Sequence, residues 1–155
     1  MTLRELVESQ RFCDGLANHH CAGLAACASE RRFAAGAYLL RQHAPAEDFY
    51  VVLDGRVEIK LVLPGQGVIT LETLGPNDAV GWSWFLPPYR CQFDARAITD
   101  VRVLAFEAER LRALMEQEPA IGYAVLKTLV ATLAERLQSC RLQLLDVYAP
   151  PGGAP

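Results

Sequence analysis

A chain of 155 residues with 52% hydrophobic and 21% charged side chains holds enough apolar material for one packed core, which excludes a disordered polymer. A formal net charge of −3 gives no electrostatic grip on DNA, RNA or an anionic membrane. No apolar run reaches the roughly 18–20 residues that cross a bilayer, and the opening MTLRELVESQRF lacks the apolar stretch of a signal peptide, so the expected setting is the cytoplasm.

Residues 3 to 31 read as helical: LRELVESQRF, then HHCAGLAACASERRF, with Cys21, Leu24, Ala25 and Ala28 at helical spacing. Cys13, Cys21 and Cys27 fall in this zone beside His19 and His20, while Cys91 and Cys140 lie elsewhere. Gaps of eight and six residues are unlike the Cys-x-x-Cys of zinc or iron–sulfur sites. An odd count without a secretion signal points to reduced thiols. No metal and no cofactor are expected, and the cysteines read as small buried fillers.

From about residue 33 to 106 the chain turns to short strands broken by glycine. In FYVVLDGRVEIKLVL, Val57, Ile59, Leu61 and Leu63 fall on one face, and Arg56, Glu58 and Lys60 on the other. PGQG at 64–67 suits a hairpin turn before VITLETL, GPND at 75–78 is a second turn, and Gly36 and Gly55 mark others. Evenly spaced short strands indicate an antiparallel sandwich, jelly roll or barrel. Within this zone GWSWFLPPYRCQFDARA, residues 81 to 97, reads as a short loop and helix inserted between two strands.

EAERLRALMEQEP is a short helix ending near Pro119, and a long one runs on to about residue 148. Leu126, Val130, Leu133, Leu137, Cys140, Leu144 and Val147 follow in steps of 4, 3, 4, 3, 4 and 3. Such a narrow seven-residue seam suits a second helix of the same kind, hence a homodimer, whereas a helix lying on its own domain has a broader face of period 3.6. Leu129, Ala131, Ala134 and Leu142 widen the face, so both contacts are compatible with it.

Helices, a roll of eight strands, a short helix and a long one form a specific order. Together with RFCDGL, FAAGAYLLRQHAPAEDFYVVLDGRVEI and ARAITDVRVLAF, and the spacing of Gly36, Pro45, Ala46, Tyr50 and Gly55, it resembles the cyclic-nucleotide-binding domain of the bacterial catabolite-activator and fumarate–nitrate-regulator superfamily over about residues 10 to 148. The resemblance implies a mainly β fold with flanking helices, a jelly roll. Residues 1–119 would carry the roll, N-terminal helices and short helix, 120–148 the dimerisation helix of the same domain, and 149–155 a flexible tail.

The resemblance also places the phosphate-binding cassette on the 81–97 stretch. In members that bind cyclic AMP, a short helix follows a Gly-Glu pair, its N-terminus facing the phosphate, and a later Arg clamps the anion. Here Gly81 is kept, Trp82 stands where the Glu would be, Ser83 where a helix cap would be, and Cys91 where the Arg would be, with Arg90 one residue early. Trp82 and Trp84 alternate, so one is expected in the core and the other at the pocket, with packing favoured over base stacking. Tyr89, Arg90 and Gln92, held by the Pro-Pro turn, are the candidate polar contacts. Asp94 would repel an anion, although strand alternation leaves open whether it or Phe93 and Ala95 face inward, and Arg96 is expected in solvent or beside an acid.

Three roles follow. A non-catalytic, dimeric ligand-sensing or adaptor module would take a small anionic or nucleotide-like ligand, or act through a protein partner, with a cassette not selective for ordinary cyclic AMP. Its alternatives are a genuine cyclic-nucleotide regulator using Arg90, and a redox or gas sensor using the N-terminal cysteines. Direct DNA binding is not expected, since Ala149 to Pro155 are too few for a winged helix-turn-helix. An enzyme is not expected either: His19, His20 and His43 are the only histidines, none on the main strands, and no catalytic constellation is present.

Overall fold

The computed structural model describes residues 1–148, so the tail expected to be flexible, 149–155, lies outside the described residues. Helix α1 (Leu3–Glu8) starts at a reciprocal cap: Thr2 Oγ1 accepts from Glu5 N–H, and Glu5 accepts from Thr2 N–H. A 3-10 turn (Arg11–Cys13) and α2 (Asn18–Ala26) follow. Eight strands come next: β1 (Ala28–Phe33), β2 (Tyr38–Leu40), β3 (Asp48–Asp54), β4 (Val57–Leu63), β5 (Gly67–Leu74), β6 (Ala79–Val80), β7 (Asp94–Ala97) and β8 (Val101–Glu107). Helices α3 (Ala108–Gln117) and α4 (Pro119–Tyr148) close the described chain.

The strands form two antiparallel four-stranded sheets, β1-β8-β3-β6 and β2-β7-β4-β5, facing each other as a jelly roll. Alternation along β3 divides the core in two. Tyr50 and Val52 join Val57, Ile59, Phe93 and Ala95 inside the roll, whereas Phe49 and Val51 join Phe12, Leu111, Ile121 and Val125 on the outer, helix-covered face. Gly55 shows why a turn residue is fixed here. Its φ is +94°, and a Cβ would stand 2.3 Å from the Asp100 carbonyl oxygen.

One expected element changes type. The helical zone read as far as residue 31 stops at Ala26, and Ala28–Phe33 is a strand. Its register with β8, Ala28 opposite Phe106 through Phe33 opposite Val101, supplies hydrogen bonds and cross-strand pairs that local spacing does not report. Glu30 is one such partner, meeting Arg102 at 3.0 Å.

At the surface, β1 and β3 share a polar cluster that reaches the buried Tyr50. Arg31 Nη1 and Nη2 donate to Asp48 at 3.0 and 3.2 Å, a bidentate pair, and the Tyr50 hydroxyl donates to the same carboxylate at 3.4 Å. Burial, then the neighbouring Asp48, pushes the Tyr50 hydroxyl from 10.0 up to about 12. The folded chain therefore holds this proton more tightly than the unfolded one. The stability it contributes is complete below pH 10 and is lost as pH rises from there to about 12. Urea unfolding in that window should show Tyr50→Phe losing about 2–3 kcal/mol less than the parent. Equal pH slopes would refute the assignment.

Candidate functional site

The stretch between β6 and β7 carries the candidate site. Gly81 opens it at φ +80°, where a Cβ would touch Leu40 Cδ1 at 3.4 Å and Phe93 Cζ at 3.7 Å. The short helix expected after it is not formed: residues 82–88 are bends and turns, with the Phe85 amide donating to the Trp82 carbonyl at 3.1 Å. Pro87 and Pro88 follow after one intervening residue, lack N–H groups and disfavour helical backbone before them, so no ladder can extend.

The two tryptophans do not divide into a core residue and a pocket residue: Trp84 is both buried and on the cavity wall, whereas Trp82 does not line the cavity. Trp84 is 2% exposed, stacked on Phe49 at 4.9 Å and edge-on to Phe85 at 5.6 Å. Its Nε1–H is buried without a hydrogen-bond partner among the described residues, which costs about 1–3 kcal/mol. Trp82 is half-buried, edge-on to Phe93 at 5.8 Å. Around them the roll leaves a cavity of about 10 Å³, walled by Trp84, Gly81, Ser83, Cys91, Phe93 and Asp48. That is room for about one water molecule.

Of the polar candidates only Gln92 lines that space; Tyr89 and Arg90 are held away from it. Backbone bonds zip Tyr89–Cys91 onto His43–Ala46: Ala46 N–H to Tyr89 O at 2.7 Å, Cys91 N–H to Ala44 O at 2.9 Å and His43 N–H to Cys91 O at 2.8 Å. Arg90 is thereby exposed, its Nη1 donating to the His43 carbonyl at 3.3 Å. Gln92 is also exposed and donates to the Arg90 carbonyl at 3.3 Å. Cys91 is the residue that points inward. Burial, then the Asp94 charge, pushes its thiol up, so a neutral group stands where the resemblance implies a guanidinium.

Asp94 and Phe93 are both buried, which resolves the open alternation. Phe93 and Ala95 belong to the roll interior, while the Asp94 carboxylate accepts from the Gln42 amide at 2.7 Å. Arg96 is half-buried and stands opposite Glu58 in the β4–β7 register, and its Nε donates to the Gly36 carbonyl at 3.1 Å. The carboxylate at the cavity is Asp48, which the sequence did not single out.

Two further residues escaped the sequence reading because they look like ordinary helix-surface arginines. Arg112 on α3 donates to the Trp84 carbonyl and lies 3.9 Å over the Tyr89 ring. Arg136 on α4 donates to the Ala79 carbonyl and lies 3.6 Å from Glu72. Together they fasten β6 and the stretch that follows it to the two C-terminal helices.

Along α4, Ile121, Val125 and Leu129 are buried against the roll. Leu126 and Leu133 are half-buried, whereas Val130 is 62%, Leu137 52% and Leu144 56% exposed, and Cys140 and Val147 are exposed as well. Leu126 and Leu133 of the seam pack against the domain's own core, so the open part of the seam is Val130, Leu137, Cys140, Leu144 and Val147. The histidines lie off the strands, His19 and His20 on α2 and His43 in the turn after β2.

The family profile described as "Cyclic nucleotide-binding domain" matches residues 30–118. A CRP-like cAMP-activated global transcriptional regulator of Mycobacterium tuberculosis is 26% identical over 115 residues, 74% of this chain and 50% of the relative. The chain thus spans about half the length of the curated relatives it matches. The crystal structure of Thermus thermophilus catabolite activator protein superposes with a TM-score of 0.68 at 26% identity, covering 87% of this chain and 62% of that one. A cyclic nucleotide-binding domain from Methylobacillus flagellatus KT has the same fold, with a TM-score of 0.79 at 17% identity over 96% of this chain and 84% of that one.

Proposed function

Because the chain belongs to the cyclic nucleotide-binding domain family, we propose that it is a non-enzymatic, dimeric regulatory module whose cassette is closed to ordinary cyclic AMP. The observation that carries this reading is the cavity of about 10 Å³ left inside the roll, walled by Trp84. Three side chains support it. Trp82 stands where a ribose-binding carboxylate would be, the Cys91 thiol replaces a guanidinium, and Asp48 puts a carboxylate beside the cavity. Hydrogen bonds to charged groups contribute about 1.5–3 kcal/mol each, so losing the clamp and the ribose contact lowers affinity by roughly two decades or more.

The module acts through α4. Its roll-facing side and Arg136, which reaches the Ala79 carbonyl, tie it to β6, the strand that leads into the cassette, while its open seam takes a second copy. The acidic balance of the chain favours a protein over nucleic acid as the recipient of the signal.

Thermal unfolding with millimolar cyclic AMP, cyclic GMP or cyclic dinucleotides, buffer anions held constant, tests the closed cassette. The midpoint should not move. A ligand at a hundredfold its dissociation constant stabilises by about 2.7 kcal/mol, a rise of roughly 5–10 °C for a domain of this size. Such a rise, lost in Arg90→Ala, would instead establish a genuine cyclic-nucleotide regulator.

A further inference from the structure

On the other side of β3 from the roll interior lies a cavity of about 340 Å³, within the size range of small-molecule clefts. Phe12, Phe49, Val51, Val125 and Leu129 give it an apolar floor between the roll and α4. Strand alternation sends Phe49 and Val51 to this side, so the cavity is separate from the cassette, and it opens between elements that each pack on the same core.

Its hydrogen-bonding edge is specific. Gln10 lines the cavity and is only 6% exposed. Its Nε2 donates to the Leu6 carbonyl at 3.1 Å, and no group among the described residues bonds its Oε1. Thr128 and Thr132 also line it, and their hydroxyls donate to the Ala124 and Thr128 carbonyls at 3.1 Å, which leaves only acceptor capacity. The edge therefore offers several acceptors and the second Gln10 amide hydrogen. Of the charged lining residues, Arg11 is outnumbered by Asp78 and Glu135, which disfavours an anion.

We infer that this cavity is a small-molecule site outside the cassette, built for an uncharged planar ring bearing an N–H donor beside a carbonyl. The flat body covers the apolar floor, and the ring amide pairs with the Gln10 amide and the threonine oxygens. Phe49 forms part of the floor and stacks on Trp84, so the buried indole N–H reports occupancy without touching the ligand.

Quinolin-2-one is the probe, with quinoline, which lacks the N–H, as comparator, and nuclear magnetic resonance shift mapping on the full chain as readout. Saturable shifts are expected at Gln10–Phe12, Asn77–Ala79, Thr128–Thr132 and the Trp84 indole, with quinoline binding at least about tenfold more weakly. Gln10→Met should abolish that preference, and Thr128→Phe, which fills the cavity from a half-buried helix position, should abolish binding of both. No saturable shift at millimolar quinolin-2-one, shifts confined to another surface, equal affinity for the two rings, or undiminished binding by Thr128→Phe would each overturn the inference.

Discussion

The double variant Leu137→Lys, Leu144→Lys is expected to run as a monomer where the parent runs as a dimer, with self-association weakened by more than about a thousandfold. The two leucines stand seven residues apart on the open face of α4, in line with Val130, and all three are more than half exposed. The face that holds α4 to its own roll is carried by Ile121, Val125 and Leu129, so the lysines disturb no intramolecular contact of those residues. Burying a leucine contributes about 1.5–3 kcal/mol, and four leucines are lost per pair of subunits. At 1.4 kcal/mol per decade, even the lower figure exceeds three decades. Light scattering at micromolar concentration decides it. A parent that is already monomeric, or a double variant of unchanged mass, rejects the seam.

Trp84→Ala should lower unfolding stability by about 3–5 kcal/mol, the usual cost of emptying a large aromatic site in a core. For a domain of this size that is a fall of roughly 6–20 °C in midpoint. Trp84 is among the largest fully buried side chains, it stacks on Phe49, and it walls the residual space in the roll. Deleting it opens an apolar chamber against Phe49 and Phe85 in the helix-covered core. Millimolar indole should restore part of the lost midpoint by refilling that chamber, while leaving the parent unchanged. A loss of under about 1 kcal/mol, far below the usual cost of such a deletion, would mean that the indole does not hold the roll shut.

The roll was legible because its signals are local. Val57 and Ile59 alternate with polar neighbours, and Gly36, Gly55, Gly65 and Gly67 all take positive φ at the turns where their spacing placed them. β1 was not legible, since ASERRF has no apolar alternation and owes its extended form to pairing with β8, whose partner residues lie 68 to 78 positions away in sequence. At the site, registering ARAITDV put Cys91 at the arginine position, and Cys91 is buried. What the sequence could not report was direction and partnership. The bridge between Pro45 and Arg90 turns that guanidinium outward, and the Arg31–Asp48 pair is a product of strand order. The missing helix was half visible, in the two prolines that argued against what the resemblance implied.

The arginine straps from α3 and α4 end on main-chain carbonyls, Trp84 for one and Ala79 for the other, and carbonyls do not change with side-chain identity. The attachment of these helices to β6 and the loop therefore runs through the peptide itself and does not depend on which side chains line the loop. Under thermodynamic reciprocity, any coupling through such an attachment acts in both directions. On the proposed reading, a partner bound to α4 would bear on β6, the strand that leads into the loop, through the Arg136 strap.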